Sequence, residues 1–361
     1  MKNKLVITYL FLQLGLLGTY AQKDNTKVVL ITLDGFRWQE LFTGADPLLV
    51  TNKAYVHDTT KLRDRFWRET AEQRREALLP FIWGQVVDQG QIHGNRTLGS
   101  KVDLTNQMWF SYPGYNEILT GKADDARIDS NEKFNNPNTT ILEIANKDVR
   151  YKGKVVAFCS WDVFPFIINE ERSGVPVNAG FDLAEGDNIS DREQFLNKLQ
   201  PNIPILWSSV RMDVFTHNYA IEEMRKSHPR LLYISYGETD DFAHEGNYGS
   251  YLNSAHTTDG FIKELWELTQ QDPFYKDQTL FVVTTDHGRG TVPLETWKSH
   301  GSKIDGAGSV WMVLFGKGVS GKGEIANKEQ LYSNQIAPTI LKALNLEIPS
   351  RDMPGKALDM K

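Results

Sequence analysis

The sequence predicts an α/β domain: a mostly parallel central sheet with helices on both faces. Three observations predict it. Apolar, β-branched runs of strand length recur along the chain, amphipathic stretches of helix length separate them, and carboxylates or imidazoles stand just after several of the runs. Continuously apolar runs fit strands covered on both faces. Strands that alternate with helices fit parallel crossover units. In such sheets, sites form beyond the carboxyl ends of the strands.

The first run, residues 28–33, ends at Asp34-Gly35. Residues 62–81 read as one long amphipathic helix that stops near Pro80. Ser111-Tyr112-Pro113 leads into a helical turn at residues 116–119. The second run, residues 155–159, holds the single cysteine, Cys159, expected as a buried structural thiol. Residues 161–204 are rich in Pro, Gly and Asn without a period, and are expected as a loop-rich insertion over the site. Asp213 is a candidate cap for a helix over residues 214–226, where Phe215, Tyr219, Ala220 and Met224 share a face. The third run, residues 231–236, is followed by Asp240 and His244. A helix over residues 249–270 carries Leu252, Ile262, Leu265 and Leu268. The fourth run, residues 280–285, delivers Asp286-His287, and the fifth, residues 310–315, is expected to be parallel like the others. Residues 334–344 form the last helical pattern, with Ile336, Ile340, Leu341 and Leu344.

With 40% apolar residues in 361, the chain can bury a large core, and one domain over residues 22–361 is expected. The net charge of −6, with its 40 basic residues dispersed, argues against binding a nucleic-acid polymer. Lys2 and Lys4, the apolar stretch 5–17 and Gly18-Thr19-Tyr20-Ala21 read as a signal peptide over residues 1–21, cut after Ala21. The apolar stretch is short for a membrane span. The mature protein is therefore expected in the periplasm or secreted, without a stable span.

Carboxylates and imidazoles without thiolates suit zinc or a similar divalent ion. Asp240 and His244, four residues apart, reach one ion from a single helical turn. Asp286 and His287 diverge on a regular strand and converge only if the chain turns, which Gly288 and Gly290 permit. Ser111, before a helix, is either a cap or a nucleophile: a helix start gathers anions, and a bound metal lowers the pKa of a hydroxyl. Two metals with a hydroxyl between them suit phosphoryl transfer. His57, His93, His217, His228 and His256 fit no motif and read as structural or solvated.

The order D-G, S-x-P, D-x-x-x-H, D-H-G and H-G, with Ile118-Leu119-Thr120-Gly121 and Ile336-Ala337-Pro338-Thr339, resembles the alkaline phosphatase superfamily from about residue 27 to residue 349. Within it the chain is most similar to the branch of nucleotide pyrophosphatase/phosphodiesterases and related monoesterases. The resemblance implies one zinc on Asp240, His244 and His300, and a second on Asp34, Ser111, Asp286 and His287. It implies Ser111 as a nucleophile that becomes phosphorylated, and Asn116 as a hydrogen-bond partner of a phosphoryl oxygen. Tyr115 stands where the sulfatase pattern C/S-x-P-x-R has Arg, which counts against sulfatase chemistry. The expected activity is hydrolysis of a small-molecule phosphate ester. Monoesters are favoured, because Asn116 with Lys298 or Arg37 would meet their extra charge, and Arg289 is a further cation near the ligands. Phosphodiester or pyrophosphate cleavage, phosphoryl transfer to another acceptor, and a zinc-binding protein without turnover are the alternatives. Trp109, two residues before Ser111, is a candidate border of the substrate pocket.

Overall fold

In the computed structural model, the described residues are 26–349 and 351–361. The expected signal peptide lies outside them. Among the described residues, eleven strands are formed: β1 Lys27–Leu33, β2 Gly90–His93, β3 Ser100–Asp103, β4 Val155–Cys159, β5 Val177–Ala179, β6 Leu231–Tyr236, β7 Thr279–Thr284, β8 Ser309–Val310, β9 Met312–Gly316, β10 Gly323–Glu324 and β11 Glu329–Tyr332. Eight make one sheet in the order β10-β2-β9-β7-β1-β6-β4-β5, and β11-β3-β8 make a smaller one.

The centre of the large sheet, β7-β1-β6-β4-β5, is parallel throughout. Alternate side chains of β1 point into separate cores. Val29, Ile31 and Leu33 join Leu252, Ile262 and Leu265 of the helix Tyr248–Gln271 on one face. Val28 and Leu30 join Ile118 and Leu119 of the helix Ser111–Thr120, with Ile340 and Leu341 of the helix Ile336–Ala343, on the other. The expected architecture is therefore present. One expectation within it is corrected: β9 runs antiparallel to both β7 and β2. The connection from β7 contains only the short helical turn Leu294–Lys298 instead of a crossover helix, so the chain re-enters the sheet from the end it left.

Register levels the strand ends that matter. Leu33 pairs with Tyr236, and Thr32 with Thr284, so Asp34, Gly237 and Thr285 emerge at one edge. The expected single helix over 62–81 is instead two helices, Thr59–Phe66 and Ala71–Leu78, followed by the π-helical Ile82–Val86. The Thr70 hydroxyl accepts from Gln73 N and starts the second helix afresh. Asp213 does not cap its own helix. Its carboxylate accepts from Gly237 N (2.8 Å) and Glu238 N (3.2 Å), so it caps the helix Glu238–His244 that carries candidate ligands. Residues 161–204 are less irregular than expected: they contain edge strand β5 and the helix Asp191–Leu199, which opens with a capping box at Ser190 and Glu193. Cys159 is buried and unpaired, and burial pushes its thiol pKa up. Among the described residues, no helix is long and apolar enough to cross a membrane.

A candidate two-metal centre beside Ser111

Two clusters form where β1, β6 and β7 end. Asp34, Asp286 and His287 make one, Asp240, His244 and His300 the other, each with ligand atoms within 4.8 Å of one another. The clusters adjoin: the rings of His287 and His300 stack at 3.9 Å. Asp240 and His244 share one face of their helix, 3.2 Å apart. The nitrogens His244 Nε2 and His300 Nε2 face each other at 2.9 Å.

Close packing makes this convergence. Gly35 has φ +58, and a Cβ there would stand 2.8 Å from Asp240 Oδ1 and 2.9 Å from His287 Cε1. Gly114 lets the Ser111 helix sit directly on the chain at Asp286, where a Cβ would lie 2.3 Å from the carbonyl oxygen. That contact brings Ser111 Oγ to 3.4 Å from His287 Nε2. Trp109 adopts φ 53, rare for a bulky residue, and its carbonyl accepts from Gly301 N at 2.8 Å. It ties the Ser111 segment to the His300 loop, and its indole packs on Gly308 rather than bordering the cleft.

The donor set fits divalent cations. Each buried carboxylate has one oxygen held by protein: Tyr115 donates its hydroxyl to Asp34 Oδ2 (2.8 Å), and Gly35 N donates to Asp286 Oδ1 (3.0 Å). The second oxygens, Asp34 Oδ1 and Asp286 Oδ2, are buried without a hydrogen-bond partner among the described residues. Both lie near His287 Nε2, at 3.3 and 3.5 Å. Such oxygens are costly to bury unless a cation meets them. His287 Nδ1 donates to the Gly288 carbonyl at 2.9 Å, which leaves its Nε2 lone pair for a ligand.

Electrostatics agree. Burial, then the Asp34 carboxylate, pushes the Asp286 carboxyl up to about 8. At His287 burial acts downward, but Asp286 and Asp34 outweigh it and raise the imidazole to about 9. Burial lowers His244, and lowers His300 well below the usual range, so both stand as neutral donors. Asp241, next to Asp240, is pushed up to about 7 by burial and then by Asp34.

Several expected partners lie elsewhere. Asn116 is fully buried. Its Nδ2 donates to the Lys122 carbonyl (3.0 Å), and its Oδ1 accepts from Asn136 and Asn138 (both 3.2 Å), so it braces the loop after its helix and cannot touch a phosphoryl oxygen. Arg37 forms a buried ion pair with Glu40 and donates to the Gly290 carbonyl. Lys298 holds its amine over the Tyr55 ring. Arg289 is buried and braces Asp240, Gly35 and Lys298 from below. The monoester expectation stood on these residues, and none of the four lines the cleft at Ser111. His93, His217 and His228 hydrogen-bond to Glu329, Glu264 and Asp272, and His256 meets the Leu78 carbonyl; these are structural.

The cleft is instead lined by Asn131, Trp161, Ser209 and Asp241, which sequence reasoning missed as site residues. The Asn131 carbonyl oxygen accepts from Tyr112 N at 3.0 Å, which anchors this side chain on the first turn of the Ser111 helix. Asp241 carried a usable signal, being the second half of an Asp-Asp pair at a ligand. Asn131 carried none, because only folding returns its loop to the helix start.

Residues 211–348 match the family model of the Metalloenzyme superfamily, a span that contains Asp240, His244, Asp286, His287 and His300. No curated protein matches the chain by sequence. Several solved structures share its fold. The lipoteichoic acid synthase LtaP from Listeria monocytogenes is 13% identical, with TM-score 0.56 over 93% of this chain and 76% of its own. The phosphonate monoester hydrolase SpPMH from Silicibacter pomeroyi is 14% identical, with TM-score 0.56 over 92% and 76%. The alkaline phosphatase PafA is 10% identical, with TM-score 0.56 over 93% of this chain and 99% of its own. The family match thus spans five of the candidate ligands, and the chain shares the fold of an alkaline phosphatase from end to end.

Proposed function

We propose that this protein is an exported, zinc-dependent hydrolase of phosphate esters that works through a phosphoserine at Ser111. The observation that carries the reading is the placement of Ser111 Oγ, first residue of a ten-residue helix, 3.4 Å from His287 Nε2 at the junction of two ligand clusters. Asp240, His244 and His300 would hold one ion, and Asp34, Asp286 and His287 with Ser111 the other. Two such ions supply Lewis acidity and positive charge at the reacting phosphorus.

The protein's own residues do the rest. The helix start directs its dipole at the phosphoryl group and stabilises negative charge there. Ser111 Oγ forms a bond to phosphorus as the ester oxygen departs with a proton as the alcohol. Water then cleaves the serine phosphoester, freeing phosphate and restoring the hydroxyl. With its carbonyl oxygen committed to Tyr112 N, Asn131 turns its amide N–H groups to the cleft and donates to a non-bridging oxygen. Tyr115 and Gly35 N fix the carboxylates, so no reorganisation is needed.

Ser111→Ala should lower turnover of a zinc-loaded preparation on an aryl phosphate by several orders of magnitude, with melting temperature and metal content retained. Asn131→Ala should lower kcat by roughly 10²-fold, the usual size for one lost oxyanion donor. Activity of Ser111→Ala within tenfold of wild type would refute the reading.

A further inference from the structure

We propose that Tyr115 is a positioning residue of this centre: oriented by a buried chain of hydroxyls through Ser235, Thr32 and Tyr233, it fixes which oxygen Asp34 offers to an ion. The proposal rests on the metal-binding part of the reading above, and it assigns residues outside both ligand clusters.

The sheet face that packs on the Ser111 helix changes character along its length. On β1 it reads Val28, Leu30, Thr32, and on β6 Leu231, Tyr233, Ser235: apolar at the start, hydroxyl-bearing toward the site. Thr32 and Ser235 are register partners. Thr32 Oγ1 donates to Ser235 Oγ at 3.0 Å, and Ser235 Oγ donates to the Tyr115 hydroxyl at 3.3 Å. Each hydroxyl has one hydrogen to give. That of Thr32 is committed to Ser235, so the Tyr233 hydroxyl, 3.0 Å from Thr32 Oγ1, is the donor there. Tyr115 in turn gives its hydrogen to Asp34 Oδ2 at 2.8 Å. All four hydroxyls thus point one way, toward Asp34, and each bond polarises the next. All four residues are buried. The far end of the chain lies in the core, where the Phe164 ring stands edge-on to both Tyr115 (4.7 Å) and Tyr233 (5.7 Å), so the chain orients Tyr115 and does not lead a proton to solvent.

A carboxylate free to turn would present either oxygen. The Tyr115 bond removes that freedom and leaves Oδ1, 3.3 Å from His287 Nε2, as the oxygen without a protein donor. The Asp34 backbone is held as well, since Thr239 Oγ1 donates to its carbonyl at 2.5 Å. Tyr115 also lies four residues after Ser111, on the same side of their helix. The hydroxyl that orients the ligand therefore ties the helix bearing Ser111 to the end of β1. Packing alone does not call for this chain: Phe, Ala and Val would fill the places of Tyr115, Ser235 and Thr32 without burying hydroxyls that must then be bonded.

The test titrates zinc into metal-free protein by calorimetry against a competing chelator, and compares wild type with Tyr115→Phe, Ser235→Ala and Tyr275→Phe. Tyr275→Phe is the control, because it removes a buried tyrosine hydroxyl that meets only the Pro229 carbonyl, away from the site. Tyr115→Phe should weaken one of the two ions by about tenfold to a hundredfold, the usual effect of losing a partner that orients a ligand, and leave the other ion unchanged. Ser235→Ala should weaken the same ion by about threefold, since it loses only the polarisation of Tyr115. Tyr275→Phe should leave both affinities unchanged. Turnover of p-nitrophenyl phosphate at saturating zinc adds a second reading: Tyr115→Phe should lower kcat more than KM. Unchanged zinc affinity in Tyr115→Phe overturns the proposal, and so does an equal loss in Tyr275→Phe. Unchanged affinity in Ser235→Ala overturns the part played by the chain, and that variant decides the matter if Tyr115→Phe does not fold. A wild type that turns over no phosphate ester would overturn the phosphohydrolase reading while the zinc titration still decides this proposal; a wild type that binds no zinc would overturn both.

Discussion

At the scale of single residues, the site is shaped by what has been left unpaired. Asp34 and Asp286 each give one oxygen to a protein donor and keep the other bare in a buried place. An ordinary core would not sustain this, and a cation-binding centre requires it. Gly35 makes the crowding possible. Gly35→Ala would strain a left-handed backbone and drive a methyl to within 2.9 Å of His287. It should lower metal affinity by at least about tenfold and stability by about 1–3 kcal/mol, read by metal titration and thermal melting. Asn116 makes the opposite case. Asn116→Ala would remove one buried acceptor from each of Asn136 Nδ2 and Asn138 Nδ2, which keep the Ile167 carbonyl and Asp124, and should lower stability by about 1–3 kcal/mol while kcat per folded molecule stays within a few-fold of wild type. A large loss of kcat with unchanged stability would return Asn116 to the catalytic group.

At the scale of elements, the sheet edge was legible because its signal is local. Three of the five apolar runs are followed within four residues by a ligand carboxylate, and register sets the ends of β1, β6 and β7 level. Asp34, Asp240, Asp286 and His287 could thus be placed from their runs alone. His300 could not: it lies in a loop whose position depends on the Gly301 N to Trp109 carbonyl bond. The direction of β9 was equally hidden, since an apolar run has no polarity of its own; the length and content of the preceding connection decide it. The break between the helices Thr59–Phe66 and Ala71–Leu78 was readable in hindsight at Thr70, whose capping pattern was overridden by the apolar period. The Ser111 helix gives this scale its prediction. Gly114→Ala would press a methyl onto the Asp286 carbonyl and lift Ser111 away from His287. Turnover should fall by more than the melting temperature implies, with kcat affected more than KM. A fall in stability alone would mean that the helix position is not what aligns the hydroxyl.

At the scale of the whole molecule, metal binding, protonation and folding are linked. Asp286, raised to about 8, and His287, raised to about 9, both hold protons at neutral pH before an ion enters. Ligands bind metal deprotonated, so loading must expel those protons. The sign follows: apparent metal affinity rises with pH between about 6 and 9 and falls on acidification. Calorimetry in buffers of different ionisation enthalpy should register proton release on zinc binding, and proton uptake would contradict the charge pattern described. Because ions bind the folded chain, chelation should lower the melting temperature; saturation at a thousandfold excess over Kd is worth about 4 kcal/mol. Export is proposed from the sequence, and the N-terminus of the protein from its native host should begin at Gln22; an intact Met1 would contradict that cut. The central claim is that Ser111 takes the phosphoryl group between two ions. Its most direct test is to acid-quench the zinc-loaded protein during turnover of an aryl phosphate and locate any covalent phosphate by peptide mass spectrometry. The account predicts phosphate on the peptide bearing Ser111, absent from chelated protein. Sustained turnover with Ser111 unmodified and phosphate on another residue would contradict it.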